Sequence, residues 1–140
     1  MAPERFVPDT DFELARFCNL VIDEVGDGCC LGHVDVDLDR HANPNGVVHG
    51  AILFALVDTT MGAATMDVIR SMQGESAMCA SIEVHVRFLR AVSAGDLRAE
   101  TRVIKAGRRV VQLDSTVTDD DGVVVATASG SFAVLGPPAP

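Results

Sequence analysis

Between His41 and Gly62 the chain reads H-A-N-P-N-G-V-V-H-G-A-I-L-F-A-L-V-D-T-T-M-G. Every residue from 51 to 57 is apolar, and Ala63, Ala64 and Met66 extend the pattern, so a helix here has little room for a solvated face before Asp67. The rest of the fold must cover such a helix on most of its sides. Just upstream, the ring of Pro44 fixes one backbone angle while Asn45 and Gly46 tolerate a left-handed conformation. The chain should therefore turn there and emerge as a helix near His49. One residue breaks the apolar rule. Asp58 stands in the middle of the helix, where a carboxylate has to be paired, hydrogen-bonded or turned towards a cavity that uses it.

The flanking segments read mainly as strands. Asp9 or Thr10 is placed to cap a short helix through Asp11, Phe12, Leu14, Ala15 and Phe17, with Glu13 in its first turn. Residues 19–25 and 30–38 form two strands around the hairpin signal Gly26-Asp27-Gly28. Val34, Val36 and Leu38 alternate with Asp35, Asp37 and Asp39. A calcium loop would need a glycine after the third acid and a closing glutamate, so a solvated strand face is the better reading. Gly74 ends the long helix. In residues 80–89, Ile82, Val84, Val86 and Phe88 alternate with Glu83, His85 and Arg87, as a strand with one face in the core would. Strands at 97–104, 110–118 and 123–134 follow, joined by short Gly-containing turns that make antiparallel neighbours.

The sum is an α+β chain in which a curved antiparallel sheet wraps around one long central helix, with a short N-terminal helix in front. Its 140 residues, 48% of them hydrophobic, suit a single domain over 1–140, with residues 1–10 and 136–140 as loose termini.

Charge and cysteine use narrow the function. The net charge of −9 argues against nucleic acid or an anionic membrane surface as partner, and a large anionic ligand would need a local basic patch. No apolar segment of signal length follows Met1-Ala2-Pro3-Glu4-Arg5, and the run 51–57 is far short of the roughly 20 residues that span a bilayer. A cytoplasmic location is expected. Cys18, Cys29, Cys30 and Cys79 show neither CxxC spacing nor paired histidines, which favours reduced, mostly buried thiols and no metal.

The string His41-x-Asn43-x-x-Gly46-x-x-His49-Gly50, with Asp58 nine residues after His49, resembles the hot-dog-fold acyl-CoA thioesterases, specifically their phenylacetic-acid-degradation (PaaI-like) branch. The resemblance covers roughly residues 11–135. It implies a hot-dog fold and hydrolysis of an acyl-CoA, with coenzyme A as part of the substrate and no separate cofactor. Carried over, Gly50 supplies the backbone N–H that polarises the thioester carbonyl, and Asp58 is the base or nucleophile. Asn43 and His49 position the reactants, and Ser81 helps to hold the attacking water. Two departures from the family pattern are Ala51 in place of a second glycine and Arg90-Ala91-Val92 in place of Arg-Pro-Ala.

Physical chemistry supports two of these roles. A helix N-terminus carries unsatisfied N–H groups and partial positive charge, and glycine at position 50 lets a ligand oxygen come close, which is how an oxyanion hole is built. Aspartate is a poor mid-helix residue and costly to bury, so Asp58 asks for a functional reason. A Ser-His-Asp triad is unattractive because no G-x-S-x-G occurs, and His33, His41 and His85 read as surface or loop residues. Arg87, Arg90, Arg108 and Arg109 are the candidates for holding the coenzyme A phosphates.

Spacing adds a constraint of its own. Eight residues separate Gly50 from Asp58, about 12 Å along one helix, whereas a reacting carbonyl must lie roughly 3 Å from both donor and nucleophile. If both serve one thioester, they come from different chains of a homo-oligomer, with a dimer as the active unit. The resemblance adds that such dimers often pair into tetramers. Two competing readings are a non-catalytic acyl-CoA sensor and a hydratase or dehydratase on the same fold.

Overall fold

The computed structural model describes residues 6–136. In chain order the elements are α1 (Glu13–Cys18), β1 (Leu20–Gly26), β2 (Cys29–Asp35), α2 (Leu38–His41), α3 (Gly50–Gln73), β3 (Met78–Phe88), β4 (Asp96–Ala106), β5 (Val110–Thr118) and β6 (Val124–Leu135). The six strands form one antiparallel sheet in the order β1-β2-β4-β5-β6-β3. This is the expected hot-dog arrangement: a curved sheet holding one long helix.

Local chemistry explains the main elements. β1 and β2 meet through a two-residue turn in which Asp27 (φ 53°) and Gly28 (φ 73°) are both left-handed, the geometry that Asp-Gly favours in tight hairpins. Strict alternation along β5 buries Val111, Leu113, Ser115 and Val117 and exposes the residues between them. On α3 the residues Ile52, Leu53, Leu56, Val57, Thr60, Met61 and Ala64 are buried. Leu56, Val57 and Met61 are wholly inaccessible, and burying side chains of this size contributes about 1.5–3 kcal/mol each.

Several expectations are corrected. With 24 residues, α3 is long and apolar enough to cross a membrane by length and composition, which the run 51–57 alone did not suggest. It is nevertheless the core helix of its own sheet. Helix α1 starts at Phe12 with no side-chain cap, and Asp9 Oδ1 instead accepts the Asp11 N–H at 2.9 Å. β2 stops at Asp35. Asp37 leaves the strand to cap α2, accepting the Asp39 N–H at 3.0 Å, so the three alternating aspartates do not share a strand face. β3 begins earlier, at Met78, and is exposed on both faces over much of its length. As an edge strand it pairs with β6 only, and a bulge between Ser81 and Glu83 throws Ile82 out of register, leaving it 58% exposed. Most of the expected loose termini, residues 1–5 and 137–140, lie outside the described residues.

Candidate active site

The approach to α3 is a rigid polar turn. Asn43 accepts the N–H groups of Asn45 (2.9 Å) and Val47 (3.3 Å) on its side-chain oxygen, while its own N–H reaches Val47 O at 2.8 Å. Gly46, at φ 77°, completes the turn in a conformation that L-residues seldom adopt. Beyond it, Val48 N donates to Val92 O (2.8 Å) and His49 N to His41 O (2.7 Å), anchoring the chain on both sides. Asn43 thus spends its oxygen on the turn. Its amide hydrogens meet no acceptor among the described residues.

His49 is the N-cap of α3. Its Nδ1 accepts the Ala51 N–H at 2.9 Å, and its carbonyl accepts from Ile52 N at 3.0 Å. The Gly50 N–H, the first of the N–H groups that open the helix, has no acceptor among the described residues. A free donor therefore stands at the positive end of a 24-residue helix, in the geometry that stabilises an anion. The glycine also has a packing reason. A Cβ at position 50 would lie 3.0 Å from Phe88 Cζ, so the exposed ring of Phe88 leans on the backbone beside the free donor.

Asp58 is half-buried and has no hydrogen-bond or ion-pair partner among the described residues. The neighbouring Thr60 hydroxyl is committed elsewhere, to Leu56 O, Val57 O and Thr101. Burial raises the Asp58 carboxyl above its ordinary value. Across from it on β3, burial and then the Asp58 charge push the Cys79 thiol up to about 11, which keeps Cys79 protonated and a poor nucleophile. Cys79 Sγ lies 3.9 Å from Gly62 O, one helical turn after Asp58. Ser81 follows two residues later on β3, exposed, opposite Phe132 of β6.

The structure does not gather every expected site residue. Asn43, His49 and Gly50 share the helix start, while Asp58 lies a third of the way along α3. Arg87 and Arg90 are at the Phe88 end of β3. Arg108 and Arg109 occupy the β4–β5 turn at the opposite end, where Gln73 Nε2 donates to Arg108 O (3.0 Å) and Val134 N to Arg109 O (2.8 Å). A concavity of about 750 Å³ at the C-terminal end of α3 is lined by Phe6, Asp67, Arg70, Met72 and Val103, and so includes none of these residues.

Two features escaped sequence reasoning. His41 is not a surface histidine: it is 1% exposed, its Nδ1 accepts the Asp37 N–H at 3.0 Å, and its Nε2 donates to Phe17 O at 2.7 Å. The only signal was its place four residues after a capping aspartate, which mimics a strand pattern in one dimension. Phe88 touches Gly50 across 38 positions of sequence, and no local pattern announces that contact.

Residues 45–126 match the thioesterase superfamily. The chain belongs to that family. It is 29% identical over 89 residues to a candidate esterase of Saccharolobus solfataricus; the match takes in 64% of this chain and 56% of that protein, so this chain spans little more than half the relative's length. Among solved structures, the conserved protein PA5202 of Pseudomonas aeruginosa is 31% identical, with a TM-score of 0.79 over 90% of this chain and 96% of that one. The PaaI protein of the Escherichia coli phenylacetic acid degradation operon shares the fold at 21% identity, with a TM-score of 0.78 over 91% and 87% of the two chains.

Proposed function

We propose that this chain hydrolyses acyl-CoA thioesters, as a PaaI-like thioesterase whose sites are completed by a second copy. The observation that carries the reading is that, among the described residues, α3 opens on a free N–H at Gly50 and carries at Asp58 a half-buried carboxylate without a partner.

The chemistry runs in two balanced steps. Asp58 takes a proton from water as the water oxygen attacks the thioester carbonyl, and the Gly50 N–H donates to the oxyanion that forms. Collapse of that intermediate breaks the C–S bond, and the thiolate of coenzyme A recovers the proton from Asp58. Direct attack by the carboxylate, giving an anhydride that water then opens, uses the same two residues. The raised Asp58 carboxyl suits a base, because a more basic carboxylate accepts a proton more readily.

The free edge of β3 supports the second copy. It ends the sheet, and its apolar residues Met78, Ile82 and Phe88 are exposed. If two copies add edge to edge about a two-fold axis, antiparallel pairing sets the Phe88 end of one β3 beside the Met78 end of the other. Phe88 leans on Gly50, and Cys79 lies within electrostatic reach of Asp58. The same operation therefore brings Gly50 of one copy towards Asp58 of the other, and Arg87 and Arg90 of one towards Arg108 and Arg109 of the other. Two positive groups would then flank one mouth, as the phosphates require. Such dimers could assemble further into the tetramer that the family resemblance suggests.

The test is a panel of aliphatic and aryl acyl-CoAs assayed for release of free thiol by the purified protein and by Asp58→Asn. Turnover by the wild type and its loss in the variant are expected. Tight acyl-CoA binding without turnover would instead make the protein a sensor.

A further inference from the structure

A chain of three hydroxyls crosses the interior. Thr60 on α3, Thr101 on β4 and Ser115 on β5 are all buried, and with His41 and Thr65 they are the buried polar side chains among the described residues. Thr60 Oγ1 lies 2.9 Å from Thr101 Oγ1, and Thr101 donates to Ser115 Oγ at 2.9 Å. With the Thr101 proton given to Ser115, Thr101 is left as an acceptor, and the single Thr60 proton is shared between it and the helix carbonyls of Leu56 (2.9 Å) and Val57 (3.0 Å). Burying three hydroxyls where valine or alanine would fit carries a desolvation cost that hydrogen bonding largely offsets. What the chain adds over an apolar contact is direction. Its bonds are satisfied at one rotation and one axial position of the helix, whereas apolar side chains tolerate sliding.

The sheet is also shaped for this one spot. A Cβ at Gly32 on β2 would meet Thr60 Cγ2 at 2.8 Å, and one at Gly130 on β6 would meet Met61 Sδ at 2.6 Å. Two glycines on opposite sides of the helix thus let Thr60 and Met61 sink into the sheet. Asp58 stands two residues before Thr60, about 3 Å along the axis and roughly 200° around it, so it leaves the helix on another face, on the side of the β3 edge where Cys79 lies.

We propose that the Thr60–Thr101–Ser115 hydroxyl chain, seated between Gly32 and Gly130, is a positioning clamp that sets where α3 presents Asp58. Thr60, Thr101 and Ser115 are positioning residues; none of them touches the substrate. This inference rests on Asp58 being the reacting acid. A clamp matters because misplacement of a reacting group by about 1 Å can lower turnover about a hundredfold.

The experiment compares Thr101→Val, which keeps shape and removes the hydroxyl, with Thr101→Ser, which keeps the hydroxyl. Steady-state kinetics with the best acyl-CoA are measured well below the melting temperature of each variant. Thr101→Val should lower kcat about 10- to 100-fold with KM changed less than about twofold, and Thr101→Ser should recover most of it. A Thr101→Val enzyme that melts earlier yet keeps kcat within about twofold of wild type would make the chain merely structural and overturn the proposal. Should that variant not fold, Ser115→Ala, which removes only the last acceptor, is read by the same criterion. Failure of the underlying reading looks different: Asp58→Asn would then retain turnover, whatever the Thr101 variants do.

Discussion

The two sides of α3 treat polar groups in opposite ways. On the side facing the sheet, Thr60 is wholly buried and its hydroxyl meets two carbonyls and a second hydroxyl. On the face turned towards the open β3 edge, Asp58 is half-buried with no hydrogen-bond or ion-pair partner among the described residues, near the exposed Phe54 and Ala51. The helix backbone is the same on both sides, so propensity does not explain the contrast. Its lesson is that a hydrogen-bonded buried polar group fixes how the helix sits, while an accessible carboxylate left without a partner is free to act on something outside the fold, which under the proposed function is the substrate.

The strongest way to break this contrast is to remove each unsatisfied group by itself. Gly50→Pro deletes the free N–H, and proline suits the first helical position after the extended His49 (ψ 138°). Turnover should fall about 10²–10³-fold while the circular dichroism spectrum stays wild type, with Gly50→Ala as the control for bulk against Phe88. Asp58→Asn should be as inactive. Co-expressing the two dead variants should restore about a quarter of wild-type activity, since half of the dimers are mixed and each mixed dimer has one intact site. No recovery in a verified mixed dimer would show that the two residues act within one chain.

Ile82→Arg comes next, because it places a charge on the exposed edge of β3. Light scattering should show a halved mass and thiol release should drop at least about tenfold, as each half-site loses its complement. His41→Ala probes the satisfied side of the comparison. It strands the Asp37 N–H and the Phe17 carbonyl, and should cost about 2–4 kcal/mol in urea unfolding, without a specific effect on kcat of the folded fraction.

Asp58 also gives a signed pH effect. Its carboxyl is raised in the folded chain, so the neutral form is favoured there, and its stabilising contribution is complete below the ordinary value of 3.8. That contribution is lost as pH rises through the folded value. Urea midpoints of wild type should therefore decline relative to those of Asp58→Asn as pH increases through this window, and parallel curves would contradict the burial effect. The smallest change is expected at the other edge of the sheet. Val21→Glu on β1, an exposed position on the strand that already carries Asp23 and Glu24, should shift stability by less than about 0.5 kcal/mol and leave mass and activity alone.

Much of the fold was legible because its signals are local. The apolar run after Gly50, the Asp-Gly turn at 27–28 and the alternation in β5 each fix an element through neighbours in sequence. Less legible were the features set by distant contacts. The end of β2 at Asp35, the burial of His41 and the edge position of β3 depend on which segments come to lie alongside, and a period-2 pattern is the same for a central strand and an edge strand. For the site, residue type singled out Asp58, the family resemblance added Gly50, and spacing gave their separation. Sequence could not say that His49 would occupy the Ala51 N–H and leave the Gly50 N–H free, because capping depends on a rotamer.

By itself, then, the amino-acid order determined a helix too apolar to stand alone, an acid that such a helix would not carry without reason, and a spacing too long for one site. Tertiary structure decided which polar groups found partners. That outcome follows from packing across the sheet, where Thr60 reaches Thr101 and Ser115 over 41 and then 14 positions of chain, while nothing within the described residues reaches Asp58.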